Sequence, residues 1–231
     1  MRKNPKSLYL LNFVSMWECF SFYGMRMLLV LFLVHEFQYG DEEAFSLYAL
    51  YAIFVELGGV LGGVVADRYL GLKHSIIIGG VTIALGHICM ALMHFEAFFF
   101  LGLGLIIVGT ALFRSNVAAL VGECYKKEDA RKESGYTVYY AGINVGGFLA
   151  TIFCGIVAES CGWHAGFGLA AFGMIFANIA LLVYGKHLPI SKQPIQAIDR
   201  KILCGLIVLA PICAMILYYH KVGFVVIPCL G

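Results

Sequence analysis

The chain has 231 residues, 61% hydrophobic and only 13% charged, where a soluble domain carries roughly a quarter charged residues. That composition excludes a soluble fold, which would leave much of its apolar surface facing water, and makes lipid the natural solvent. The formal net charge of +2 gives no footprint for a nucleic-acid partner, so the placement of the charges matters more than their sum.

A basic start (Arg2, Lys3, Lys6) leads into an apolar run over 8–34. That run outlasts a signal-peptide core and contains Glu18 and Arg26, so it is expected to stay as the first membrane span. Five more apolar stretches follow at 45–66, 75–94, 98–121, 136–158 and 166–184, each long enough for a hydrocarbon core of about 30 Å at 1.5 Å per residue. A polar linker over 189–201 precedes a seventh stretch at 202–219, and 222–231 reads as the start of an eighth that stops short. The expected organisation is therefore a six-helix bundle over 1–188, the linker, and an extra helix with a partial one after it over 202–231.

Connector charge alternates along this order. Cations gather at the N-terminus, at Arg68, Lys73 and His74, at Lys126, Lys127, Arg131 and Lys132, and at Lys186, Lys192, Arg200 and Lys201. The intervening connectors carry Glu36, Asp41, Glu42 and Glu43, then His94 to Glu96, then Glu159. Positive charge stays on the cytoplasmic side, so the N-terminus is expected inside an inner (plasma) membrane that the chain crosses repeatedly.

Glycines recur at three- and four-residue spacing, notably Gly58, Gly59, Gly62 and Gly63, then Gly102, Gly104 and Gly109, then Gly142, Gly146 and Gly147. Small residues at that spacing let helix backbones approach where lipid offers no hydrophobic drive between them. The eight cysteines show no CxxC pairing and fall mostly within apolar runs, so they read as small buried hydrophobes. No metal-ligand cluster, nucleophile arrangement or phosphate-cradling loop stands in a suitable context, which argues against an enzyme and against a cofactor.

Ionisable residues inside spans are the informative positions, because each costs about 2.5–3.5 kcal/mol at mid-bilayer. Glu18 and Arg26 lie eight apart on the first span, Glu56 in the second and Arg114 in the fourth. One account is structural ion pairs between helices. The other is a polar cavity holding a charged solute or a proton, and two cations with two acids on three helices favour it. Asn144 adds a neutral donor and acceptor in the fifth span, and Tyr23, Tyr48, Tyr51, Tyr139 and Tyr140 are aromatics able to line the same space.

At this point four motifs become recognisable. Trp17-Glu18-Cys19-Phe20-Ser21-Phe22-Tyr23-Gly24-Met25-Arg26 resembles the first-helix signature ExxERFxYYG of the proton-dependent oligopeptide transporters, a branch of the major facilitator superfamily. Gly62 through Gly71 resembles that family's loop after the second helix, Phe113 through Gly122 its fourth-helix motif FKPNxSxLVG, and Tyr136 through Phe148 its fifth-helix signature. The resemblance covers residues 1 to about 190.

The resemblance implies the six-helix N-terminal half of a two-half transporter that rocks between alternating openings. It further implies proton-coupled symport of di- and tripeptides, with the proton gradient as driving force and no cofactor. Tyr23, Arg26, Arg114 and Asn144 would face the peptide, the arginines meeting its carboxylate. Glu18 would belong to proton coupling, and Asp67, Arg68 and Lys73 would gate the cytoplasmic side. Implied partners are a small peptide, membrane lipid, and a second half-transporter chain or another copy of this one. Alternatives are a facilitator for another small solute, such as an amino-acid conjugate or nitrate, and a truncated remnant that does not transport.

Departures from the pattern sharpen these expectations. Ser15 replaces the first acid of the signature and Cys19 its arginine; Arg114 stands for the lysine and Ser115 for the proline of the fourth-helix motif. Without that arginine Glu18 loses an expected cation, so desolvation should favour its neutral form and weaken proton coupling. Glu56 stands where the family often has a tyrosine and offers a replacement acid.

Overall fold

The structure, a computed structural model, describes residues 4–93, 95–126, 128–189 and 200–226. Seven long helices account for nearly all of it: α1 (Lys6–His35), α2 (Asp41–Val65), α3 (Leu72–Ala91), α4 (Glu96–Glu123), α5 (Arg131–Cys161), α6 (Trp163–Tyr184) and α7 (Arg200–Val226). The first six are long and apolar enough to cross a membrane. The chain is an all-α membrane protein, and each predicted span is matched by a helix.

The helices overrun the apolar stretches at their ends. Helix α2 opens on Asp41, Glu42 and Glu43, where carboxylates complement the positive end of the helix dipole. The connector before it is pinned by Tyr39, whose hydroxyl donates to Glu96 Oε1 of α4 at 2.6 Å. Burial and that bond together push the Tyr39 phenol well above its ordinary range.

One boundary is corrected. Helix α7 runs unbroken to Val226 with Pro211 inside it, so 222–226 completes the seventh helix and does not begin an eighth. Only His220 and Lys221 interrupt the apolar run there, and neither breaks a helix. Residues 227–231, the linker stretch 190–199 with Lys192, the first three residues with Arg2 and Lys3, and also His94 and Lys127 lie outside the described residues.

Helix α1 forms the axis of the bundle, packed between α5 and α6 and touching α2 and α4. Helix α3 wedges between α4 and α6, and α7 lies against α4 and α2. Glycine makes these crossings possible. A methyl on Gly79 of α3 would lie 2.7 Å from the Gly109 carbonyl oxygen of α4, and one on Gly86 would lie equally near the Gly102 carbonyl. A methyl on Gly62 of α2 would run into the Ala111 carbonyl, and one on Gly146 of α5 into the Met16 backbone of α1.

Between α2 and α3 the chain makes a single π-helical turn, Ala66–Leu70, and stops it at Gly71 with φ of 73°. A residue with a side chain is strained there. The Gly71 amide bonds the Ala66 carbonyl at 2.8 Å, and its own carbonyl accepts from Ser75 at 3.1 Å to start α3.

Two apolar clusters fill the interior. One gathers Phe32, Tyr51, Phe99 and Phe167, with Phe32 stacked on Phe99 at 5.1 Å. The other gathers Leu11, Phe113, Val117, Leu120 and Met174. Along α1 the second ends at Val14 and the first begins at Phe20. Buried Ser15, Glu18 and Cys19 occupy the interval.

Gly62 and its neighbour Gly63 separate packing from propensity, since a methyl on Gly63 would meet nothing within 4 Å. We expect Gly62→Val to cost about 1–3 kcal/mol through overpacking and Gly63→Val less than about 0.5 kcal/mol. Denaturant unfolding in detergent micelles compares them, and equal losses would remove close approach as the basis of the α2 and α4 contact.

Candidate functional site

On α1 the residues Glu18, Phe22 and Arg26 follow one another at four-residue steps, so their side chains stack along one face. That face turns toward α2 and α4. From α4, Arg114 Nε donates to Glu18 Oε1 at 3.0 Å. Glu18 is 2% exposed and the Arg114 side chain 30%, so the carboxylate is interior while the guanidinium stands at the edge of open space. The Cys19 thiol donates to the other carboxylate oxygen at 3.5 Å.

Both guanidinium groups lie near the Phe22 ring. Arg114 sits over its ring at 3.8 Å from the centroid and Arg26 at 5.9 Å. Arg26 Nε in turn donates to the Tyr48 hydroxyl of α2, with its guanidinium 5.0 Å from the Tyr48 ring. Tyr51, one turn further along α2, is fully buried near these charges, and among the described residues its hydroxyl has no partner.

The charge balance follows from these contacts. Glu18 and Arg114 neutralise each other, while Arg26 is held by the Tyr48 hydroxyl and has no counter-ion among the described residues. Arg114 Nη2 is buried without a hydrogen-bond partner among the described residues, a situation that costs about 1–3 kcal/mol. A cation without a counter-ion among the described residues is suited to an anionic oxygen group from a solute.

The structure therefore brings together Glu18, Tyr23, Arg26 and Arg114 of the predicted set. Tyr23 is 39% exposed; its ring lies 6.0 Å from Arg114 and packs on Gly147 of α5. Glu56 and Asn144 do not join the cluster. Both are exposed, on α2 and α5, without an ion pair or hydrogen bond among the described residues. Asp67 and Arg68 are exposed on the π-helical turn, and Lys73 lies against Gly185 at the end of α6.

The expectation that Glu18 lacks a cation is overturned, because Arg114 reaches it from a helix 96 residues away in sequence. Phe22 was not anticipated as a platform for both arginines; the four-residue spacing from Glu18 through Phe22 to Arg26 was the available signal. Asn116, one turn from Leu112, holds α4 in place by donating to the Leu112 carbonyl at 2.7 Å and the Gly62 carbonyl at 3.4 Å.

Comparison with known proteins adds to this geometry. The profile of the POT family matches residues 73–222. The chain is 38% identical over 208 residues to a di-/tripeptide transporter of Lactococcus lactis subsp. lactis (strain IL1403), covering 85% of this chain and 41% of that protein. It is 37% identical over 188 residues to the uncharacterised transporter YclF of Bacillus subtilis (strain 168), covering 79% of this chain and 38% of the relative. Among solved structures, a peptide transporter POT in complex with sulfate aligns with a TM-score of 0.80 at 32% identity, over 98% of this chain and 45% of that one. A structure concerned with substrate recognition in proton dependent oligopeptide transporters aligns with a TM-score of 0.85 at 27% identity, over 96% of this chain and 52% of that one. The chain thus spans about two fifths of the length of the curated relatives it matches.

The buried ion pair generates a direct test. Removing one partner leaves a charge in the apolar interior, whereas removing both does not. In a double-mutant cycle of Glu18→Gln and Arg114→Met, followed by unfolding in micelles, we expect a coupling of about 1–3 kcal/mol, kept below the deep-interior range by the exposure of Arg114. Additive losses would mean that the two side chains do not stabilise each other.

Proposed function

Because this chain is a multi-pass membrane protein of the POT family, we propose that it forms the solute-binding N-terminal body of a proton-coupled symporter for di- and tripeptides. The observation that carries this reading is the 3.0 Å ion pair of Glu18 with Arg114 beside Arg26, which has no counter-ion among the described residues.

The ion pair supplies a coupling device. While Glu18 is ionised it holds Arg114. A proton delivered to a Glu18 carboxylate oxygen neutralises the acid and releases the guanidinium toward the cavity, where the peptide carboxylate lies between Arg114 and Arg26. Proton and peptide then favour each other's binding, and reciprocal coupling of that sign is what symport requires. Tyr48 keeps Arg26 in position, Phe22 lies beside both cations, and Tyr23 and Asn144 border the space the peptide enters. This arrangement takes over the role of the arginine that Cys19 replaces, with Arg114 as the cation of Glu18.

Helices α2 and α5 are the least buried of the six spans. A second six-helix body, from another chain or a further copy, covers their open faces and completes the peptide site. Asp67, Arg68 and Lys73, at the end of α2 and the start of α3, act at the closing edge between the bodies. With the cation-rich connectors in the cytoplasm, the N-terminus lies inside and peptide moves inward across the inner membrane. A second reading, transport of a different small anionic solute, is favoured by Ser15 and Cys19, which leave less charge around Glu18 than the family signature carries.

Uptake of a labelled dipeptide into proteoliposomes bearing the protein tests the proposal. We expect accumulation above equilibrium only under an inward proton gradient, and Glu18→Gln to abolish the gradient dependence. Gradient-driven accumulation that persists at full rate in Glu18→Gln would remove Glu18 from proton coupling. A wild-type response to an anionic solute without a peptide bond, and none to dipeptide, would favour the second reading.

A further inference from the structure

Helices α1 and α6 run in opposite directions and touch along their middle. Ser21 donates to the Ala170 carbonyl at 2.7 Å, and Phe13 meets Phe176 edge-on at 5.5 Å. Toward the start of α1 the two helices part. A groove of about 510 Å³ opens there, lined by Lys6, Ser7, Leu10 and Phe13 of α1 and by Ala180 and Tyr184 of α6. None of the six belongs to the Glu18 site.

The lining is graded along its length. Lys6, Ser7 and Tyr184 stand at the mouth, and Leu10, Ala180 and Phe13 follow with only apolar side chains. The far end closes where Phe13 packs against Phe176 and Trp17. Lys6 and Phe13 are about 10 Å apart along the helix axis, so the groove fits within one half of a hydrocarbon core of about 30 Å. Charge at the surface followed by an apolar furrow within one leaflet is the polarity order of a phospholipid.

Further cations collect at the mouth. Lys6 opens α1 and is exposed, and a short turn over Gly185–His187 follows α6, touches α1 and carries exposed Lys186. The Lys73 side chain would lie 3.7 Å from a methyl on Gly185. None of these three lysines has an ion pair among the described residues, and no carboxylate is among the groove's described lining residues. The furrow among α2, α4 and α7 is instead wholly apolar, so its lining selects no headgroup.

We propose that the groove between α1 and α6 holds one phospholipid with an anionic headgroup. Its acyl chain lies along Leu10, Ala180 and Phe13, and its phosphate between Lys6 and Lys186. A lysine ammonium is a compact point charge that meets phosphate oxygens without needing a planar fork. Basic pockets between membrane helices recognise anionic headgroups in this way. With the cation-rich connectors in the cytoplasm, the lipid comes from the inner leaflet. Its chain ties the start of α1 to the end of α6, where the two helices have parted, and so stabilises the folded bundle.

Unfolding midpoints of the delipidated protein in micelles test the assignment, titrated with phosphatidylglycerol, phosphatidylcholine of the same chains, or inorganic phosphate. Phosphatidylglycerol should raise the wild-type midpoint saturably, at a concentration about 10- to 30-fold below that needed of phosphatidylcholine, the worth of two lysines beside an anionic headgroup. Inorganic phosphate should leave it unmoved. The double variant Lys6→Gln with Lys186→Gln should lose the preference and respond to both lipids alike. Lys126→Gln with Lys132→Gln, which removes equal charge from another connector, should keep it. Ala180→Phe, which fills the groove and leaves the lysines, should lose the response to both lipids. An unchanged midpoint without lipid checks that each variant folds. Loss of the preference in both lysine pairs, or in neither, would overturn the site. An equal response to inorganic phosphate would mean an anion site without a chain, and a full lipid response in Ala180→Phe would move the lipid out of this groove.

Discussion

A carboxylate placed inside hydrocarbon must find a cation, lose its charge or reach water. In this protein Glu18 finds Arg114, and much else follows from that contact. The pair joins α1 to α4 between the two apolar clusters, with aromatic side chains around it that can sit beside a guanidinium without competing for its proton donors. Its two members are unequally sheltered, the acid enclosed and the guanidinium at the rim. An ion pair of that shape can be opened from the cavity side by chemistry that neutralises the acid, which a symmetric, fully enclosed pair would resist.

The pair can form only because the helices come close. Lipid supplies no hydrophobic force between helices, so the bundle relies on backbone contact at small residues. Gly62 against Ala111, Gly79 against Gly109 and Gly86 against Gly102 bring α2 and α3 onto α4. Gly146 sets α5 on the backbone of α1. Those crossings fix α1 and α4 within reach of a glutamate and an arginine, and Asn116 ties the same stretch of α4 to the carbonyl of Gly62. Packing at glycine and chemistry at the charged site are thus one arrangement, since a larger residue at Gly62 would displace the helix that carries Arg114.

The same economy divides the surface. The helices that carry the ion pair, α1 and α4, are the most enclosed of the six spans, while α2 and α5 keep long apolar faces open. Glu56 and Asn144 belong to those open helices, and the flank of α2 that bears Glu56 differs from the wholly apolar flank that α7 approaches.

Hydropathy and spacing act along the chain, so the sequence by itself determined the six spans, the glycine crossings as a class, the face shared by Glu18 and Arg26, and the four motifs that point to the family. It also marked Glu18, Arg26 and Arg114, the ionisable residues that the structure gathers on α1 and α4, because an insertion penalty is a property of a single position. Pairing is a property of two helices and the angle between them, and here the sequence misled: Cys19 suggested a glutamate without a cation, whereas the crossing of α4 over α1 delivers Arg114 from 96 residues away. Tertiary structure alone decided that both guanidinium groups gather at the Phe22 ring, that Tyr48 holds Arg26, and that Glu56 and Asn144 stand apart from the cluster. It also decided that α7 continues to Val226, since a histidine and a lysine interrupt an apolar run without interrupting a helix.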